Sequence, residues 1–136
     1  MGKFDRAVAL AVERVGVGLP QRGERRTSEQ VAGFLTLSRD EDPKVRQVAV
    51  RNLCPCHIQG DVTEVWERLF ELSGDDDTGV RGDVLHTIVD GAPRHMREQA
   101  VALLETFRND PDRKHRRVAN TRLALYRRTG YLTKEK

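Results

Sequence analysis

A chain of 136 residues with 38% apolar, 33% charged and 5% aromatic residues is sized for one domain, since a domain near this length buries roughly two thirds of the surface its unfolded chain exposes. Lys and Arg number 24 against 21 Asp and Glu, a net charge of +3, which neither demands nor excludes a nucleic-acid partner. No apolar run approaches the roughly 20 residues of a membrane span, and Asp5 and Glu13 interrupt the N-terminal apolar stretch where a secretory core would carry no charge, so a cytoplasmic location without membrane contact is expected.

The first predicted element is an amphipathic helix over 3–15, with Phe4, Val8, Ala11, Val12 and Val15 on a common face. A connection from Gly16 to Thr27, rich in Gly and Arg and containing Pro20, leads into a repeating array. Shifting the sequence by 35 residues aligns three copies. Asp40, Asp75 and Asp110 coincide, as do Asp42, Asp77 and Asp112, and Arg46, Arg81 and Arg116. Six columns are apolar in all three copies: Val31/Trp66/Val101, Phe34/Leu69/Leu104, Leu37/Leu72/Phe107, Ala49/Val84/Ala119, Leu53/Ile88/Leu123 and Cys54/Val89/Ala124. At this apolar content chance would supply about 2 such columns. Within each half the columns are spaced by three and four, the spacing of one helix face.

Each copy is expected to form two helices, 28–38 with 43–55, 61–73 with 78–90, and 93–109 with 113–128. Thr27 and Gln30 have capping-box spacing, and Asp42-Pro43 supplies an N-cap with proline at the first helical position. Gly60-Asp61 opens the second pair, Gly74 closes its first helix, Asp77 caps its second helix, and Gly91 ends the pair. Ala92-Pro93 opens the third, and Asp112 caps the last helix ahead of Gly130. No stretch alternates polar and apolar residues over strand length. The expected organisation is therefore all-α and a single repeat domain over 1–136: a leading helix 3–15, repeats 28–60, 61–92 and 93–128, and a tail 129–136.

The runs DEDPKVRQVAVRNL, DDDTGVRGDVLHTI and DPDRKHRRVANTRL resemble the second-helix signature of HEAT repeats, nearest to the short bacterial version also found in phycobilin-lyase-like proteins. The resemblance covers about residues 28–128, with His115 standing where the other copies have Val45 and Val80. It implies an α-solenoid of antiparallel helix pairs whose second helices line a concave face, and a non-catalytic protein-interaction scaffold. Arg46, Arg81 and Arg116 are expected to brace turns, because a residue that recurs once per structural unit serves the unit.

Chemistry has little footing in the chain. Cys54-Pro55-Cys56-His57 is the one cluster of soft ligands, and His86 or His95 could add a fourth. A single residue between the cysteines is fewer than the roughly two to four of structural zinc sites, and Cys54 shares a column with Val89 and Ala124, so a packed side chain and no metal site are expected. Redox sensing is the other use open to the pair. Gly74-Asp75-Asp76-Asp77 has the look of a cation loop but falls at an inter-helix turn. Neither GxSxG, HExxH nor a phosphate loop after a strand occurs, so no catalytic or cofactor site is expected.

Two binding surfaces remain. On the second helices the variable columns are Gln47/Gly82/Arg117, Val50/Leu85/Asn120 and Arg51/His86/Thr121, and Arg51, Leu85, His86, Arg117 and Asn120 are the candidates for facing a protein partner. The alternative is nucleic acid, held by Arg22, Arg25 and Arg26 in the N-terminal connection and by Arg113, Lys114, Arg127 and Arg128 near the C-terminus. Residues 1–27 carry 6 basic and 3 acidic groups, 28–111 carry 9 and 16, and 112–136 carry 9 and 2, so both ends are basic while the acidic middle would repel phosphates lying along the whole array. Tyr131-Leu132 offers a third option, weak self-association at the end of the array.

Overall fold

The computed structural model describes residues 6–21, 23–54, 58 and 62–132. Among them are seven α-helices and no strand: α1 (Arg6–Val15), α2 (Ser28–Leu37), α3 (Pro43–Asn52), α4 (Thr63–Leu72), α5 (Thr78–Gly91), α6 (Arg97–Phe107) and α7 (Arg113–Thr129). No helix among the described residues is long and apolar enough to cross a membrane. The chain divides into two compact units, 1–83 and 84–136, with the boundary inside α5.

Helix starts follow local side-chain chemistry. Gln30 N donates to Thr27 Oγ1 (3.1 Å) and Thr27 N to Gln30 Oε1 (2.9 Å), a complete capping box at α2. Asp42 accepts from Lys44 N (2.9 Å) and Asp112 from Lys114 N (2.8 Å), so each satisfies an amide the helix ladder leaves over. Asp77 accepts from Val80 N (3.0 Å) at α5. Two ends depart from expectation. α3 stops at Asn52, because Leu53 turns out of helical geometry. The helix expected from residue 93 begins at Arg97 instead: Pro93 is extended, a single 3₁₀ turn spans Arg94–Met96, and Met96 breaks from helical ψ as its side chain is buried. Gly60-Asp61 lies outside the described residues.

Four of the six apolar columns are buried in every copy: Phe34/Leu69/Leu104, Leu37/Leu72/Phe107, Ala49/Val84/Ala119 and Leu53/Ile88/Leu123. The other two are looser. Val31 and Val101 are half-buried where Trp66 is buried, and Cys54 is half-buried and Ala124 exposed where Val89 is buried. In the first unit α1 packs on both α2 and α3, burying Val8 and Ala11. The connection after it folds back on α2: Val17 is buried, and Gln30 Nε2 donates to Gly18 O (2.8 Å). Gly33 makes room, since a Cβ there would stand 2.7 Å from Val17 Cβ.

The recurring polar residues hold the turns. Arg46 Nη1 donates to the carbonyls of Asp40 (2.8 Å) and Glu41 (3.0 Å), Arg81 Nη1 to those of Asp75 (2.9 Å) and Asp76 (3.1 Å), and Arg116 Nη1 to those of Asp110 (2.8 Å) and Pro111 (2.9 Å). Because the acceptors are main-chain oxygens, the second position can be Glu, Asp or Pro without changing the contact. Arg46 also reaches the next turn, its Nη2 lying 3.0 Å from Asp75 Oδ1, with the two side chains 16% and 7% exposed. Arg14 of α1 reaches Asp40 in the same manner at 3.0 Å, although its own side chain is exposed. Arg68 of α4 donates to Ser38 Oγ (2.9 Å) and Ser38 O (2.8 Å), closing the end of α2.

In the second unit α6 and α7 form an antiparallel pair joined by residues 108–112. Gly130 ends α7 in the left-handed conformation at φ 79°, where a side chain would be strained. Beyond it Leu132 is buried rather than available for self-association, with Arg122 Nη1 donating to its carbonyl (3.0 Å), and the Tyr131 ring lies 5.9 Å from the Arg97 guanidinium.

Arg46→Ala removes a shielded pair and two turn bonds, and is expected to destabilise the protein by about 3 kcal/mol in urea unfolding. Arg51→Ala breaks an exposed pair with Asp83 and is expected to cost about 0.5 kcal/mol or less. Equal losses would contradict the assigned roles. Gly33→Ala should cost about 1–3 kcal/mol, because Val17 must be displaced; an unchanged midpoint would contradict the close packing.

Candidate functional site

The expected partner-facing residues separate once their surroundings are known. Arg51, at the last turn of α3, is 68% exposed and its Nε lies 3.0 Å from Asp83 Oδ2 on α5. Gln47, one turn earlier, donates from Nε2 to the same oxygen (3.3 Å). Asp83 therefore gathers two α3 side chains and fixes their directions, so α3 presents an ordered polar surface. In the second unit His86 is 77% exposed, its Nε2 3.0 Å from Asp90 Oδ2 one turn along α5. Arg117 of α7 is exposed, and Asn120 Oδ1 accepts from Arg108 Nε (3.0 Å).

Leu85 does not belong with them. It is 2% exposed, buried along with Val80, Val84, Thr87, Ile88 and Val89. So wide an apolar arc is the pattern of a helix covered on more than one side, and it leaves His86 and Asp90 as the exposed residues of the central turns. The Leu85 column, Val50/Leu85/Asn120, varies between copies as the His86 column does, which is why the sequence put both on one surface, although Val50 is buried like Leu85.

The basic candidates also divide. Arg26 is withdrawn into the fold: its Nε donates to Asn52 O (3.1 Å) and its Nη1 to Glu24 O, so it ties the connection to the end of α3. Arg25 is exposed, and Arg22 lies outside the described residues. Arg113, Lys114, Arg127 and Arg128 are exposed on α7. Cys56 and His57 lie outside the described residues, Cys54 is half-buried, and no group of three or more His, Cys, Asp or Glu among the described residues could hold a metal ion.

A groove with a volume of about 920 Å³ was not foreseen. It runs between α2 and α4 in the first unit, floored by Val31, Ala32, Leu35 and Val65 and edged by Arg39, Glu64 and Glu71. Its trace in the sequence is slight, the small side chain of Ala32 one turn before Leu35, and its width depends on how far apart the two helices stand.

At the start of α7 the charges converge. The amide of His115 donates to Asp112 (3.1 Å), and this bond, helped by the His115 ring and the Lys114 amide, holds the Asp112 carboxyl below the usual carboxylate range despite opposition from its partial desolvation and from Asp110. His115 turns its Nδ1 to Asp110 Oδ2 (3.1 Å) and meets the Phe107 ring edge-on, centroids 6.0 Å apart. That polar and aromatic pairing is how an imidazole occupies a column that is valine in the other copies.

Among known proteins, the family model described as HEAT repeats matches residues 31–125. No curated protein and no solved structure matches the chain.

A carboxyl with a folded pKa below its unfolded value stabilises the fold above the unfolded pKa of about 3.9 and loses that contribution as pH falls through the folded value. Asp112→Ala is therefore expected to lower the Tm clearly at about pH 6, with the gap from the parent protein narrowing towards about pH 2.5. A gap that stays constant would remove the charge from the cap's contribution.

Proposed function

Because the chain belongs to the HEAT-repeat family, we propose that it is a non-catalytic scaffold that docks a protein partner through the exposed side of its second helices. HEAT repeats generally serve as protein-interaction scaffolds rather than as enzymes. Stacked repeats present extended surfaces on which side chains can vary while the supporting residues stay the same.

The observation that carries the assignment is the division of labour among the charged residues. The recurring Arg46, Arg81 and Arg116 point into turns, whereas Arg51 and His86 change type between copies and point outward. Each is held by a carboxylate at 3.0 Å, so less side-chain freedom is lost when a partner arrives. Arginine is also among the residues over-represented in the energetic centres of interfaces. In the first unit Arg51 with Gln47 is the proposed contact; in the second, His86, Arg117 and Asn120 are.

Partner recovery on immobilised full-length protein, identified by mass spectrometry, is expected to fall at least about tenfold when Arg51 and His86 are both changed to Glu, a loss of about 1.4 kcal/mol or more. Arg94→Glu, an exposed change elsewhere on the second unit, should leave recovery intact. Undiminished recovery with the double variant would sink the assignment of these helices as the docking side.

A further inference from the structure

Many of the described arginines are engaged by an acceptor. Arg14, Arg39, Arg46, Arg51, Arg68 and Arg108 each pair with a carboxylate. Others, such as Arg26, Arg116 and Arg122, bond main-chain carbonyls. α7 carries a group of cations that are not. Its sequence, RKHRRVANTRLALYRRT, contains no acidic residue, and the side chains of Arg113, Lys114, Arg117, Arg127 and Arg128 are all exposed with no ion pair or hydrogen bond among the described residues.

Their placement is one-sided. At 3.6 residues per turn these five side chains fall within an arc of about 140°, along a row about 22 Å long. Ala119 and Leu123 face the unit's interior from the other side. Three carboxylates of α6 and the turn before α7 have other partners: Asp112 accepts the Lys114 and His115 amides, Asp110 accepts the Asp112 amide and meets His115, and Glu105 pairs with Arg108. Like charges one turn apart, such as Arg113 and Arg117, repel and cost helix stability. The row is thus of one sign, with no carboxylate on its own helix.

We propose that this face of α7 is a binding site for nucleic acid, following the phosphate backbone of a duplex without reading its sequence. The chemistry of the row selects this occupant. Five cations on a helix with no acidic residue suit a polyanion better than a folded protein surface, since the cores of protein interfaces are depleted of charge; the large apolar residues exposed on the described chain, Leu10, Leu19 and Tyr131, are not on α7. A single strand is held by stacking on aromatic rings, and the Tyr131 ring beyond α7 is engaged by Arg97. A duplex needs neither: release of condensed counterions supplies the free energy, and a row of about 22 Å faces about six base pairs. This site shares Arg117 with the proposed protein contact but includes neither Arg51 nor His86, so the two readings are tested by different variants and either can hold without the other.

The test is fluorescence anisotropy of a labelled duplex of about 20 base pairs with the full chain, between about 50 and 200 mM salt. Binding is expected with a slope of log K against log salt of roughly −4, unchanged when the duplex sequence is scrambled. Arg117→Ala with Arg128→Ala should make the slope shallower by about 2, whereas the charge-conserving Arg117→Lys with Arg128→Lys should retain it. Arg51→Ala on α3 should leave it unchanged. The substituted side chains are exposed, so far-ultraviolet circular dichroism should match the parent protein and Tm should not fall. Absence of binding at the lowest salt, or a slope that ignores the alanine pair, would overturn the proposal. Tighter binding to polyglutamate or to phosphatidylserine vesicles than to the duplex would also overturn it, assigning the face to an acidic protein or a membrane surface.

Discussion

The fold depends on a guanidinium that holds a turn from inside the helix that follows it. Arg46, Arg81 and Arg116 sit in the first turn or so of α3, α5 and α7, and each directs Nη1 to two successive carbonyls of the turn before it. Those oxygens precede the helical ladder and would otherwise need water or another donor. A planar group with five donors can close a turn with one nitrogen and use the others elsewhere. Arg46 does this, joining its own turn to Asp75 in the next. Lysine, with a single charged nitrogen, could not meet both demands in this geometry. The aspartates complete the device from the other side by capping the helix that carries the arginine.

Consuming the recurrent charges in this way decides where recognition can occur. In a protein that is one third charged, many of the described cations are spent on turns and helix ends. Two kinds of exposed group bear on recognition. Arg51 and His86 are exposed yet steered by carboxylates, suited to directional contacts with a folded surface. The α7 residues are exposed, unsteered and of one sign, suited to a partner whose charge is spread along a line. The net charge of +3 conceals this difference, since it averages a braced acidic middle with an unbraced basic end.

The sequence was most legible where the controlling interaction is local. Thr27 with Gln30, Asp42 with Lys44 and Asp112 with Lys114 lie within three residues of each other, so spacing alone exposes them. The core columns Phe34/Leu69/Leu104 and Leu53/Ile88/Leu123 were equally plain, because helical period and repeat agreed. Errors arose where a side chain's fate depends on a distant element. Arg26 looked like a member of a basic cluster, but its acceptor is Asn52 O, 26 residues away. Leu85 stands in a column that varies between copies, Val50/Leu85/Asn120, which suggests a contact surface, whereas α5 is covered around most of its circumference.

From sequence alone came the helical class, the repeat, the caps and the bracing role of the arginines, all consequences of period and of hydrogen bonds spanning a few residues. Tertiary structure alone decided which cations are neutralised, which apolar residue leaves the surface, and that a groove opens between α2 and α4. The reason is one of range. A cap or a helix face is specified by neighbours within about one turn, but exposure and pairing depend on what another helix brings within hydrogen-bonding distance. The guanidiniums of Arg26 and Arg117 are identical in the sequence; only the presence of a carbonyl beside the first makes one a brace and leaves the other open to a partner.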